Sequence, residues 1–325
     1  MAEPLRRRLR AKVLQAASNS SRFVPRPLAL GGLSGLSWLS RFSSLEARTL
    51  ANLRTAYGNE LDDAARRRIA AGVRRHTARL AYEWLTLAAL PGLDAVHGWL
   101  EANVDVDDSV AHLDAVLAKG RGALVVTGHI GNWELLAASM RRLGHEGAVV
   151  GLEKHRDPTA QWFLDLRKNY DVETIPQHSH PRELVRVLQE NHVLGLLCDL
   201  EVRRLAGEFL PFFGTPALTM TAPAALARAR RVPLLPARCV LPHEGATRYR
   251  LSFEEPLEFD FRIPRKEATT ELMTRVNAVF ERWIRESPEQ WAWHQHRWRT
   301  QPGELEATPL ASRSRPPQPP VAESD

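Results

Sequence analysis

Cysteine is nearly missing from this chain: two occur in 325 residues, Cys198 and Cys239, and neither belongs to a CxxC pair. That excludes a disulfide framework, and their apolar surroundings predict buried free thiols in a reducing compartment. Long apolar runs are missing too. No stretch reaches the ~20 residues that a spanning helix needs, and mean hydropathy is -0.31, which rules out a polytopic membrane protein. Both GxGxxG and GxxxxGK[ST] are absent, which argues against a nucleotide-dependent enzyme. So is the GxSxG elbow that a serine esterase requires. With 44% hydrophobic and 25% charged residues the chain is ordinary globular material, so wholesale disorder is excluded as well.

Acidic residues fall short of basic ones, 38 against 44, for a net charge of +6 and an isoelectric point near 9.7. Such a balance favours an anionic partner, whether nucleic acid, phospholipid, phosphorylated substrate or acidic protein. The basic residues are dispersed and no nucleic-acid motif is present, so no nucleic acid is expected.

The first twelve residues, MAEPLRRRLRAK, carry five cations and one acid. After them PLALGGLSGLSWLS (27–40) is apolar but only 14 residues long, too short to span a bilayer and without a clear signal-peptidase site. The reading favoured is an interfacial segment. Its basic flank meets anionic headgroups while Leu28, Leu30, Leu33, Leu36, Trp38 and Leu39 enter the acyl boundary. The alternative is a helix packed on the protein's own core. From Leu45 to Leu90 the apolar spacing is helical, with the basic run 64–75 on its outer face. From about residue 107 apolar runs alternate with helical ones: ALVVTGH, GAVVGLE, VETIPQ, VLGLLCDL, PLLPARCVL and RYRLSFEEPLE read as strands. A long amphipathic helix is predicted from Lys266 to Ser287. The alternation implies an α/β fold, a mainly parallel sheet flanked by helices, behind a helical N-terminal membrane-associating region. The divisions are then 1–44 for the basic, apolar segment, 45–300 for the α/β domain and 301–325 for a Pro-rich tail expected to be disordered.

The strongest local signal is VVTGHIGNWEL (125–135). An apolar strand ends in a Gly, His129 follows, and a second Gly turns the chain into a helix with Asn132 at the cap position. Ligands of α/β folds bind at the carboxyl ends of strands. Glu134, in the first helical turn, is close enough in sequence to fold back on one imidazole nitrogen and leave the other as a general base. The competing interpretation is that His129 only ends the strand and Glu134 only favours its helix dipole.

GHIGNWELLAASM (128–140) resembles the His-x4-Asp/Glu motif of the lysophospholipid acyltransferase superfamily. It is most similar to the branch with bacterial lipid A lauroyl/myristoyl acyltransferases and the phosphatidylinositol mannoside acyltransferases. ANLRTAYG (51–58) resembles that branch's Asn-Leu element, and 199–236 its acidic loop, Phe-Phe-Gly element and following helix. WIRESPEQWAWHQHRWRT (283–300) resembles its Pro-Glu-Gln-Trp-x-Trp signature. The resemblance implies a membrane-associated acyltransferase of the cytoplasmic face of the bacterial inner membrane, held peripherally and using no cofactor. It would move an acyl chain from an acyl carrier protein or coenzyme A thioester to a hydroxyl of a membrane glycolipid or phospholipid. Lipid A precursors are the first choice because they are the commonest acceptors in the branch. The alternatives are a phosphatidylinositol mannoside or lysophospholipid acceptor, or a non-catalytic lipid-binding homologue.

By the same resemblance His129 is the base, with Glu134, Glu201 and Asp199 as the acids near it; both Glu134 and Glu201 stand as its direct partner. Arg167 matches an arginine expected to grip a phosphate, the phosphopantetheine arm or the oxyanion. Asn132, Arg203 and Arg204 are candidate substrate contacts, as are Lys154, His155 and Arg156. Phe209, Phe212 and Phe213 are candidates for an acyl groove or for plain core. One departure stands out: the branch's His after the second Trp is here Gln295, with His294 and His296 on either side. That pair suggests no metal site, because no third ligand is indicated.

Overall fold

The computed structural model of the protein describes residues 5–21, 23–151, 158–203 and 205–304. Helices α1 (Leu5–Ser21), α2 (Arg26–Leu39), α3 (Ser44–Tyr57), α4 (Asp63–Ala89) and α5 (Leu93–Asn103) come first. Next are β1 (Val104–Val106), α6 (Val110–Leu117), β2 (Ala123–Thr127), α7 (Trp133–Arg142), β3 (Gly147–Gly151) and α8 (Pro158–Asn169). They are followed by β4 (Glu173–Pro176), α9 (Pro181–Gln189), β5 (Val193–Leu197), β6 (Gly207–Phe212) and β7 (Thr215–Met220). Last come α10 (Ala222–Arg230), β8 (Leu234–Val240), β9 (Tyr249–Phe253) and α11 (Arg265–Glu286). The helical run read between Leu45 and Leu90 is thus two helices. Asp62 starts the second by accepting a hydrogen bond from the Ala65 backbone N–H at 2.6 Å, and Pro91 follows its last turn, where a continuing helix would clash.

Among the described residues seven strands form one sheet in the order β1-β9-β8-β2-β5-β3-β4. It is parallel except where β9 runs antiparallel to β8. The expected α/β class is therefore the observed one. β2 lies between β5 and β8, parallel to both, and all five of its residues are buried. A strand covered on both faces needs apolar side chains in both directions, which is why ALVVT reads as an unbroken apolar run. Leu124 and Val126 face the core shared with α9, α10 and α11, while Ala123 and Val125 face the core under α5, α6 and α7.

The sequence reading did not include the antiparallel hairpin of β6 and β7, which carries the chain through Met220 before α10 begins at Ala222. Pro211 and Pro216, which ordinarily argue against a strand, face each other across this two-stranded ribbon. The turn is Phe213-Gly214, both with positive φ, so a bulky residue occupies a position usually given to Asn or Asp. Arg297, fully buried, secures the hairpin: it donates to the Leu218 carbonyl at 2.9 Å and to Thr219 Oγ1 at 2.9 Å, above the Phe212 ring. Burial pushes its pKa down to about 10.

α1 packs against α4 and α8, and α2 lies along α4. Among the described residues no helix is long and apolar enough to cross a membrane. Of the residues expected to meet lipid, Leu28, Leu36, Trp38 and Leu39 are exposed, while Leu30 and Leu33 are half-buried. The helix thus packs on α4 while part of its apolar surface stays exposed. The tail beyond Glu304 lies outside the described residues, as do Lys154, His155, Arg156 and Arg204.

α4 is tied to the turn after β2 by His76, whose Nε2 is 3.1 Å from the Gly131 carbonyl. Burial lowers the His76 pKa to about 4, the Gly131 bond opposing the shift and Arg79 adding to it. The folded protein keeps this ring neutral where the unfolded chain, near 6.5, would take a proton. Stability therefore falls as pH drops from about 6.5 to about 4. In His76→Gln, which keeps a donor for Gly131, about 2–3 kcal/mol of that acid-induced loss should disappear. Urea unfolding of both proteins at pH 7.5 and 4.5 measures the difference; equal losses would refute it.

Candidate active site

The chain leaving β2 makes two close approaches. A side chain at Gly128 would lie 2.9 Å from the Asp199 carboxylate, so glycine lets the acid reach the strand end. Gly131 has φ +60, and a Cβ there would be 2.1 Å from the Cys239 carbonyl; only glycine fits. Between them stands His129. Its Nδ1 is 2.8 Å from Asp199 Oδ1, and its backbone N–H donates to Asp199 Oδ2 at 2.7 Å. Trp291 Nε1 donates to that same oxygen at 2.7 Å.

Asp199 is fully buried. Burial alone would raise its pKa, but the charge of His129 and the hydrogen bonds from His129 and Trp291 outweigh it, and the carboxyl is held below its usual value. It stays ionised and, as an acceptor, orients the imidazole through Nδ1 so that Nε2 faces away from it.

The direct partner of His129 is thus Asp199, and neither Glu134, which spacing offered, nor Glu201, which the resemblance offered. Glu134 turns away towards α8. It forms a two-pronged pair with Arg167, Nε to Oε2 at 3.0 Å and a terminal nitrogen to Oε1 at 2.6 Å, and accepts a short bond from the Tyr170 hydroxyl. Burial works against the Arg167 charge, but Glu134 outweighs it and the pKa of Arg167 is raised. Glu201 accepts from the Arg299 N–H at 3.0 Å, the Thr300 N–H at 2.9 Å and the Thr300 hydroxyl. It anchors the C-terminal segment rather than the imidazole.

Asn132 is a second correction. Expected to touch substrate, it is fully buried and its amide is committed. Its Oδ1 accepts from the Leu135 N–H at 3.2 Å, capping α7, and from Trp84 Nε1 at 2.9 Å. Its Nδ2 donates to Glu83 Oε2 at 2.9 Å. Glu83, which the sequence reading did not single out, is itself buried and accepts from the Tyr249 hydroxyl at 2.8 Å and from Arg79 Nε at 2.8 Å. Arg203 is exposed after β5 and does not line the cavity. Phe212 and Phe213 are core, packed among Trp291, Trp293 and Trp298; Phe209 is half-buried.

A cavity of about 350 Å³ opens over His129, a size suited to part of a small-molecule ligand. Leu80 and Trp84 of α4, Trp133 of α7 and Phe163 of α8 give it apolar walls, and Glu134 with Arg167 closes one side. The opposite side is the segment after α11. There the Ala292 N–H donates to the His129 carbonyl at 3.0 Å, and the Gly131 N–H donates to the Gln290 carbonyl at 2.9 Å. Asn52, from the ANLRTAYG stretch, clamps this segment with Nδ2 on the Trp293 and Gln295 carbonyls at 2.8 and 2.9 Å. His294 and Gln295 line the cavity and His296 does not. Among the described residues no group of three or more His, Cys, Asp or Glu side chains is arranged to hold a metal ion.

Nucleophilic alternatives are poor. Cys198 and Cys239 are both buried free thiols with pKa values raised by burial first and by nearby Asp199 and Glu83 respectively. A buried, protonated thiol is inert.

The chain is similar to the phosphatidylinositol mannoside acyltransferase of Mycobacterium tuberculosis (strain ATCC 25618 / H37Rv), 31% identical over 163 residues, which is 48% of this chain and 50% of that protein. The enzyme of the same name from Mycolicibacterium smegmatis is 28% identical over 179 residues, 53% of this chain and 57% of its own length. The chain thus spans only about half the length of these curated relatives. The model of the bacterial lipid A biosynthesis acyltransferase family reaches further, matching residues 13–300. That match takes in every segment that builds the cavity, and the chain belongs to the bacterial lipid A biosynthesis acyltransferase family.

Proposed function

We propose that the protein transfers a fatty acyl chain from an acyl thioester to a hydroxyl of a membrane glycolipid, with His129 as general base. One observation carries this reading: an imidazole held by a buried carboxylate looks into a cavity where neither cysteine is among the lining residues described. Such a site suits direct attack by a bound hydroxyl. His129 Nε2 takes the hydroxyl proton as the oxygen attacks the thioester carbonyl. Asp199 stabilises the imidazolium that forms, and collapse of the intermediate breaks the C–S bond. The departing thiolate receives the proton back from His129.

The family and its relatives support two acceptors. A lipid A precursor accords with the family's description, and a phosphatidylinositol mannoside with the names of the relatives. Both are anionic glycolipids, in keeping with the excess of basic residues. Acyl carrier protein and coenzyme A are the two candidate donors. Arg167 has its charge balanced by Glu134, and one terminal nitrogen makes only a long 3.5 Å contact with Thr174. In this reading that nitrogen is left for a substrate oxygen.

α2 and the residues after it supply a peripheral attachment to the cytoplasmic face of the inner membrane. Leu28, Leu36, Trp38, Leu39 and Phe42 are exposed together, with the Arg41 guanidinium stacked 3.8 Å from the Trp38 ring centre. An apolar face beside a cation is the make-up of an interfacial segment.

His129→Ala should abolish transfer, and Asp199→Asn should lower turnover at least about a hundredfold. Steady-state assays with lauroyl thioesters of acyl carrier protein and coenzyme A, against lipid A precursor and phosphatidylinositol mannoside, check both; near-normal turnover in either variant would refute the mechanism. Arg167→Lys keeps the charge but loses the planar fork. It should therefore cost about tenfold in kcat/KM, or about 1.4 kcal/mol, with both donors if Arg167 serves the acceptor and with one if it serves that donor. The full chain should bind anionic vesicles reversibly, less so at high salt. Trp38→Ala with Phe42→Ala should weaken sedimentation with such vesicles, and unchanged binding would move the attachment elsewhere.

A further inference from the structure

Along the segment 291–295, Trp293 is fully buried in the core, Trp291 is buried but reaches the cavity with part of its side chain, and Ala292, His294 and Gln295 line the cavity. Its backbone has no freedom to slide. Besides the Asn52 clamp, Arg48 donates to the His294 carbonyl at 3.0 Å, the Gln295 N–H donates to the Ala292 carbonyl at 2.9 Å, and Ala292 is bonded to His129. The backbone therefore holds His294 at the cavity wall; the residue is half-buried, and among the described residues its ring makes no hydrogen bond.

We propose that His294 is a catalytic residue that donates a hydrogen bond, as a neutral imidazole, to the thioester carbonyl oxygen as it becomes an oxyanion. This rests on the acyl-transfer reading and assigns within it a group that the sequence signature does not supply, since the branch's histidine in this element is Gln295 here.

The chemistry of the cavity favours a neutral donor. During attack the acceptor oxygen bonds to the carbonyl carbon, its proton goes to His129 Nε2, and the carbonyl electron pair moves to oxygen. Two charges appear a few ångströms apart, one on the imidazolium and one on the oxyanion. A lysine or a free arginine at the wall would steady the oxyanion but oppose the imidazolium. A neutral N–H steadies the first without penalising the second. The surroundings hold His294 in that state: burial lowers its pKa, and the nearby His129 and Arg48 lower it further. The other strong cation in the cavity, Arg167, is already matched by Glu134. When the intermediate collapses, the electron pair returns to re-form the carbonyl, the C–S bond breaks and the thiolate takes the proton from His129. His294 ends with the proton it began with.

The test uses the purified full chain and slow hydrolysis of lauroyl- and palmitoyl-coenzyme A, where water takes the place of the acceptor. His294→Leu should lower kcat about a hundredfold with KM changed less than threefold. His294→Asn, which keeps a neutral N–H donor, should recover activity to within about tenfold of the parent. Circular dichroism and thermal midpoints of both variants should match the parent, because a half-buried ring without partners contributes little to folding. A leucine variant within threefold of the parent, a loss confined to KM, or an asparagine variant as slow as the leucine one would each overturn the assignment. Hydrolysis that His129→Ala abolishes and His294→Leu leaves intact would sink His294 alone. No hydrolysis by the parent, together with no transfer to either glycolipid, would sink the acyl-transfer reading and this inference with it.

Discussion

A single buried carboxylate organises the centre of this protein. Asp199 accepts from the backbone and the side chain of His129 and from Trp291, so it joins the end of β2, the end of β5 and the segment after α11 in one contact. A buried ion without partners would cost several kcal/mol. Three donors, each worth roughly 1.5–3 kcal/mol to a charged acceptor, make the burial tolerable and set the geometry at the same time. The glycine at 128 follows from this, since any side chain there would displace the acid. So does the indole at 291, whose N–H meets the oxygen that the imidazole does not use.

Around that contact are two further buried acids with different tasks. Glu134 balances Arg167 along one wall of the cavity, and burial with the adjacent Glu134 charge raises the Tyr170 pKa so that the hydroxyl remains a donor. Glu83 lies behind the catalytic turn and holds Asn132, the cap of α7. The pKa of Glu83 is raised by burial, with Arg79, Tyr249 and Asn132 pulling the other way. Each acid is satisfied by its own set of donors, so the three do not compete. In the proposed reaction this leaves His129 as the group free to change its protonation.

Much of this was legible in the chain, and the limits have physical causes. Apolar runs of strand length alternating with amphipathic ones gave the sheet and its helices, and the Gly-His-x-Gly turn gave His129. The choice of acid was not legible. Spacing pointed to Glu134 and the family resemblance to Glu201, and both lie near strand ends. Neither tells which way a side chain leaves a helix or a loop, and here Glu134 points to α8 and Glu201 to Arg299 and Thr300. Asp199 lies two residues before Glu201, directly at the strand end, and an acid there was noted without being chosen. Glu83 carries no sequence signal beyond an acid in an otherwise apolar stripe, which is itself a hint that a buried partner exists. The hairpin of β6 and β7 was hidden by its prolines and by a turn that places Phe213 at positive φ.

The clamp that Asn52 puts on residues 293 and 295 bears on the timing of synthesis. A growing chain makes α3 early and the segment after α11 late, with the whole sheet between them. The sheet and helices can pack as they emerge, but His129 and Asp199 lack Trp291, and the cavity lacks a wall, until the last of these pieces arrives. Contacts of such long separation are also the slowest to form. A nascent or prematurely shortened chain would therefore hold a folded sheet beside an unfinished cavity.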